Sequence, residues 1–248
     1  MKPELSTNLS NNVGLVTSVK NQGSCGSCVA FATTAVLETN LLKAELDEVG
    51  CPYHITMNVV DISEQHLLDC GYQKHGWGCE GASGIAYAGF YNEEGKEMVQ
   101  EDTYPYVMKI NNYECQQKTY WNPGYKIDKA VWDYECSDEK MMKLIYQYGA
   151  ISTGLGAIDY GFYFYKEGVF DNCTATKTNH AVVVVGWGTE NGVDYWLIKN
   201  SMGWKWGDYG YIKIKRGMCM TFSIISSIPP VNVCSNTYAH QLKRYLLI

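Results

Sequence analysis

Proline is scarce in this chain, with 6 among 248 residues, and no low-complexity tract interrupts it. Disorder therefore does not dominate the reading. Long apolar runs are missing as well. None exceeds Ala181–Val185, far short of the roughly 20 residues that span a bilayer, so no membrane partner is expected. The opening stretch MKPELSTNLSNN lacks the apolar core of a signal peptide, and the chain reads as a processed or truncated form. Positive charge is not in excess: 20 Lys and Arg face 26 Asp and Glu, a formal charge of −6. That balance argues against a nucleic-acid or anionic-membrane surface. Histidine is limited to five positions, which shortens any search for an acid–base residue.

What is present is a chain 46% hydrophobic and 19% charged, enough for one large domain or two packed lobes. Ten cysteines point to an oxidising compartment and several disulfides whose pairing composition alone leaves open. Asn8-Leu9-Ser10 and Asn172-Cys173-Thr174 fit the glycosylation sequon, which adds slight support for a secretory route.

Residues 28–46 predict a helix with one largely apolar face through Ala32, Val36 and Thr39, preceded by Gly26 and Ser27. Ser63 predicts the cap of a second helix, Ser83 the start of a third ending near Gly95, and Ser137 the cap of a fourth that Gly149 stops. Beyond Ile151 the texture changes. AVVVVGWG, YWLIKNS and GYIKIK are β-branched and aromatic runs divided by turn residues. The fold class expected is α+β, as a single domain over 1–248 with a helical lobe at about 13–124, a β-rich lobe at about 125–227 and a C-terminal extension at 228–248.

The sharpest segment is Asn21-Gln22-Gly23-Ser24-Cys25-Gly26-Ser27-Cys28, which sets a cysteine at the mouth of a helix. Partial positive charge and free N–H groups there favour thiolate over thiol. The same N–H groups, joined by the Gln22 amide, are suited to hold the oxyanion formed when a thiolate attacks a carbonyl. Three other readings stay open: a Cys25/Cys28 redox pair, half of a zinc site that lacks a second Cys-x-x-Cys, or two structural cysteines.

A base is sought among five histidines. His54, His66, His75 and His240 sit in helical, loop or tail segments with no polar constellation. His180 stands directly before AVVVVGWG, and Lys199-Asn200-Ser201 ends the next strand candidate. Paired neighbouring strands would bring Asn200 beside His180, giving nucleophile, base and a group that orients the base.

NQGSCGSC, NHAVVVVGWG and YWLIKNSMGWKWGDYGYIKIKRG together resemble the three signature blocks of the papain/cathepsin L family of cysteine proteases. ISEQHLLDC, GCEG and TYPY add to the likeness, which covers roughly residues 13 to 226. The resemblance implies a two-lobed fold, with an antiparallel β-rich right lobe and a cleft between it and the helical left lobe. It also implies an endopeptidase in which Cys28, His180, Asn200 and Gln22 are catalytic. Cys28 and His180 would act as a thiolate–imidazolium pair through a thioester acyl-enzyme. No His-His pair of the kind that makes relatives dipeptidyl carboxypeptidases lies between Cys79 and Cys115.

Substrate contacts carried over by the resemblance are Gly81, Ala82, Gly154, Asn179, Ala181, Trp204 and Ile224. Small residues at Gly154 and Ala181 leave a roomy pocket suited to hydrophobic side chains two residues before the cut. The implied disulfides are Cys25–Cys79, Cys70–Cys115 and Cys173–Cys219, with Cys51, Cys136 and Cys234 left over. No metal or cofactor is implied. Expected partners are peptide or protein substrates, an inhibitory propeptide and cystatin-like inhibitors, for a monomer that is secreted, lysosomal or in a digestive vacuole.

The sequence departs from the family at four places. Val29 follows the nucleophile where Trp is usual, and Met202 stands for the Trp after Asn-Ser. Ala82 replaces the second glycine of a pair, and no Asp-Trp-Arg stretch precedes the cysteine block. These keep a second expectation in play: a weak or inactive homologue that binds peptides or another protein.

Overall fold

The computed structural model describes residues 15–47, 60–83, 86–92, 98–110, 114–116, 129–133, 137–156, 160–173, 177–218 and 220–228. An unbroken stretch without glycine or proline forms α1 (Cys28–Asp47). The sequence predicts one apolar face, but every residue from Val29 to Lys43 is buried. The cause is position. One side of α1 packs with Leu67, Leu68, Tyr87 and Phe90, while Ala32, Ala35 and Val36 pack on Val183, Val185 and Leu197 of the sheet. Its polar residues survive burial by finding partners. Thr33 and Thr39 hydroxyls donate to the carbonyls of Val29 and Ala35. Asn40 donates to the Tyr148 and Ala150 carbonyls.

Ser63 caps α2 (Glu64–Cys70) by accepting the His66 N–H at 3.0 Å, as its sequence position predicts. The third helix, α3 (Ala86–Asn92), follows Ser83, whose carbonyl accepts the Ala86 N–H, and its expected end near Gly95 lies outside the described residues. Ser137 caps α4 (Asp138–Tyr148), and Gly149 ends it at φ +93°, a backbone conformation natural to glycine. A fifth helix, α5 (Tyr160–Tyr163), is one turn long.

Among the described residues seven strands form one sheet: β1 (Lys129–Asp133), β2 (Ile151–Leu155), β3 (Val169–Phe170), β4 (His180–Glu190), β5 (Val193–Lys199), β6 (Tyr211–Lys215) and β7 (Met220–Ile228). Their spatial order is β1-β7-β2-β4-β5-β6-β3, antiparallel except where β3 runs parallel to β6. Asn191-Gly192 turns β4 into β5, with both residues at positive φ as a two-residue hairpin loop requires. The face of β2, β4, β5 and β6 turned from α1 buries Ile151, Val184, Trp196, Ile198 and Ile212 against Met141 and Ile145 of α4. Helices and antiparallel sheet together make the α+β fold expected.

Cys25–Cys79 and Cys70–Cys115 are bonded, and Cys173 is engaged in a disulfide. Cys219, Cys51, Cys136 and Cys234 lie outside the described residues, as do His54, His240, the Asn8 sequon, the expected boundary near residue 125 and the extension from 229 onward. His66 and His75 are buried packing residues beside Phe90. No helix among the described residues is long and apolar enough to cross a membrane.

Between α1, α2 and the sheet lies a buried ionic cluster. Lys20 Nζ reaches Glu38 of α1 at 3.0 Å, Glu64 of α2 at 2.8 Å and the Ile62 carbonyl at 2.9 Å. Burial alone would lower the Lys20 ammonium, but Glu38, Glu64 and Asp61 outweigh it and hold it well above the ordinary lysine range. The Glu38 and Glu64 side chains are 0% and 1% exposed, so neither carboxylate has water to replace the lysine. Lys20→Met should therefore cost about 3–5 kcal/mol, read as a lower urea midpoint at unchanged slope. A loss below about 1 kcal/mol would mean that water reaches these carboxylates.

Candidate active site

Two loops and two strand ends meet where α1 begins. The loop before α1 is tied down by Cys25–Cys79 and by the Gly26 N–H donating to the Cys79 carbonyl at 2.9 Å. A Cβ at Gly26 would lie 2.4 Å from that carbonyl oxygen, so the close approach requires glycine. Cys25 is thus unavailable as a redox partner or metal ligand beside Cys28. Among the described residues Cys28 is the one free cysteine.

The segment carrying Gln22 is stitched to the one carrying Asn200. Gln22 N–H donates to the Ser201 carbonyl at 2.9 Å, Gly203 N–H donates to the Lys20 carbonyl at 3.0 Å, and Asn21 bridges Met202. The Gln22 side chain is held at both ends: Nε2 donates to the Cys25 carbonyl at 3.0 Å, and Oε1 accepts from Ser201 Oγ at 2.6 Å. Ser201 is a positioning contact that the Lys-Asn-Ser motif contains but whose role spacing alone does not disclose.

His180 opens β4, and Asn200 follows β5, which pairs with β4. His180 Nε2 lies 2.8 Å from Asn200 Oδ1, and Ser201 N–H donates to the same oxygen at 2.8 Å. A backbone N–H only donates, so the atom receiving it is the amide oxygen. His180 Nε2 must then carry its own proton, which leaves Nδ1 as the basic nitrogen of the neutral ring. Phe162 of α5 packs against His180 at 6.3 Å between ring centroids and is backed by Trp206 at 4.9 Å.

The site's electrostatics are set mainly by burial. It pushes the Cys28 thiol up, against the pull of the Ala181, Val29 and Cys28 backbone N–H groups. It pushes His180 down, against the hydrogen bond to Asn200. Both directions favour the uncharged pair.

Cys28, Val29, Ala82, Ser152, Gly154, Asn179, His180 and Ala181 line one cleft, with Thr153 and Thr178, of about 200 Å³. Gly81 adjoins it at φ +105°, with no atom within 4 Å of where a Cβ would stand. Trp204 is 62% exposed and is not part of this lining. Ile224 lies on β7, next to β2; its backbone pairs with Asp133 of β1, and its side chain lies outside what the structure describes. Met202 is half-buried against the sheet's core, and Val29 is buried against the helices.

A thiol at a helix start thus shares one cleft with a histidine–asparagine pair at the ends of two neighbouring antiparallel strands, the spatial pattern of a nucleophile, a base and a group that orients it. The sequence profile described as papain family cysteine protease matches residues 5–228, and the chain belongs to that family. It is 34% identical over 213 residues to germination-specific cysteine protease 1 of Arabidopsis thaliana, covering 85% of this chain and 52% of that protein. It is 34% identical over 211 residues to human cathepsin L2, covering 82% and 58% respectively. The chain spans about half the length of the curated relatives it matches. Among solved structures, bromelain from Ananas comosus in complex with the E64 inhibitor aligns with a TM-score of 0.73 at 30% identity, over 88% of this chain and 95% of that one. Digestive procathepsin L2 from Tenebrio molitor larval midgut aligns at 0.74 and 31%, over 93% and 69%.

Asn200→Ala removes the bond that opposes burial at His180. The ring's titration midpoint, followed by NMR, should then move further down. A midpoint that rises instead would show that solvation, not the asparagine, governs the ring.

Proposed function

We propose that the chain is a cysteine endopeptidase in which Cys28 attacks the peptide carbonyl. The observation that carries this reading is the fixed His180–Asn200 pair, with Nδ1 left basic, lining one cleft with the free Cys28. His180 Nδ1 takes the thiol proton as the sulfur attacks, giving a thiolate–imidazolium pair. The same proton then passes to the leaving amine. The oxyanion rests on the Cys28 backbone N–H and on the Gln22 amide, whose second Nε2 proton is left after the bond to the Cys25 carbonyl. Water activated by His180 hydrolyses the thioester.

Gly154 and Ala181 leave the pocket wide, so hydrophobic residues are favoured two positions before the cut. Asn179 and Gly81 border the path of the substrate backbone, and Ile224 and Trp204 are proposed contacts farther along. The disulfides fit an oxidising compartment, whether secreted, lysosomal or a digestive vacuole. A preceding inhibitory segment and cystatin-like inhibitors are the proposed regulators of a monomer.

Weak hydrolysis is the competing reading, and burial of the pair is what favours it. A thiol pushed up beside a histidine pushed down resists forming the ion pair before substrate arrives.

The reagent that separates the two is a peptide vinyl sulfone. On the protease reading it labels Cys28 stoichiometrically, and His180→Ala slows labelling by about 10²–10⁴-fold. The sign of the pH dependence follows from the two shifts. Labelling of the unmodified chain persists below the ordinary histidine value, because His180 stays neutral and able to accept a proton there. In His180→Ala labelling climbs only above the ordinary thiol value, where Cys28 ionises unaided. A folded, reduced sample that stays unlabelled from mildly acidic to neutral pH would leave only the binding role.

A further inference from the structure

The cleft lined by Cys28 and His180 is not uniformly apolar on the wall that β2 contributes. On β2, Ser152 faces Val183 across the β4 ladder and Gly154 faces Ala181, so Ser152 and Gly154 project on the same side of the sheet. That side packs on α1, where Val183 and Ala181 meet Ala32, Ala35 and Val36. Gly154 contributes no side chain, so an entering group passes over it and reaches Ser152 one pleat deeper. Ser152 is 5% exposed and lines the cleft together with Val29, Ala82 and Ala181. No described residue hydrogen-bonds to its hydroxyl. Thr153, between the two, turns the other way, opposite Val182 in the second core. Thr178 and Asn179 stand exposed at the rim, where their polar groups meet water rather than a buried tip.

The cleft as a whole, at about 200 Å³, exceeds the ~150 Å³ apolar cavity that holds a benzene molecule, so it has room for an aromatic ring. Val29, Ala82 and Ala181 suit the ring, and the Ser152 hydroxyl on the same lining suits a ring that carries one. A phenyl ring would cover the serine hydroxyl without pairing it, which is costly in a dry site.

Resting on the reading that this cleft receives the second residue before the cut, we propose that Ser152 is a specificity-determining residue that makes the site select tyrosine over phenylalanine there. The phenol O–H and the Ser152 hydroxyl pair, while Val29, Ala82 and Ala181 hold the ring.

The test uses the Cys28→Ala variant, so that binding is read without turnover. Calorimetry compares acetyl-Ala-Tyr-Gly-Ala-amide with its phenylalanine twin. One neutral hydrogen bond predicts about three- to tenfold tighter binding of the tyrosine peptide. Adding Ser152→Ala should bring the ratio to about one, while Ser152→Thr, which keeps the hydroxyl, should retain the preference. Equal or tighter binding of the phenylalanine peptide, a ratio indifferent to Ser152→Ala, or binding of neither peptide would overturn the proposal. Vinyl sulfone labelling of the unmodified chain is scored separately. Labelling without tyrosine preference sinks this inference alone, and absence of labelling sinks the protease reading.

Discussion

The arrangement of the site depends on one lysine. Lys20 sits two residues before Gln22, and its ammonium closes the gap between two carboxylates on different helices. Its own carbonyl takes the N–H of Gly203, three residues past Asn200. The same residue therefore fixes α1 against α2 through its side chain and fixes the Gln22 loop against the Asn200 loop through its backbone. Lys199 joins the cluster from the sheet, donating to Thr17 at 3.0 Å, and burial lowers it to about 8. Such clusters rarely add net stability compared with apolar packing, but they tolerate no partial removal. What this one confers is register between helices and sheet, the register in which Cys28 and His180 share a cleft.

Local structure was legible where capping and turn chemistry are local. Ser63, Ser137 and Gly149 each mark a helix end by their own residue type, and the structure places ends there. The burial of α1 was not legible, because Thr33, Thr34, Glu38 and Asn40 are polar and lie off the apolar face read through Ala32, Val36 and Thr39. Threonine hydroxyls turned back on their own helix's carbonyls, the Tyr148 carbonyl facing Asn40 and the Glu64 carboxylate facing Thr34, all invisible to periodicity, explain how those residues enter the core. The bonded pairs Cys25–Cys79 and Cys70–Cys115 followed from likeness to known blocks, since spacing alone leaves many connectivities open.

At the site, residue types were readable and their electrostatic state was not. A helix start next to Cys28 suggested a stabilised thiolate, yet burial of both partners works against charge on either. The tautomer of His180 was equally hidden. It is dictated by a backbone N–H of Ser201 competing for the Asn200 oxygen, a detail with no sequence signature. Ser152 escaped notice for a related reason: a serine inside a β-branched strand looks like ordinary strand filler until its register partner is known.

The disulfide that secures Cys25 also governs how the protein ages. With its neighbour three positions away already bonded to Cys79, Cys28 has, among the described residues, no free thiol beside it to capture a sulfenic acid as a recoverable disulfide. Oxidant reaching the cleft therefore drives this sulfur toward sulfinic and sulfonic acids, unless a small external thiol intercepts it first. On the proposed reading, the working life of the Cys28 nucleophile then depends on the thiol supply of its surroundings as well as on the fold.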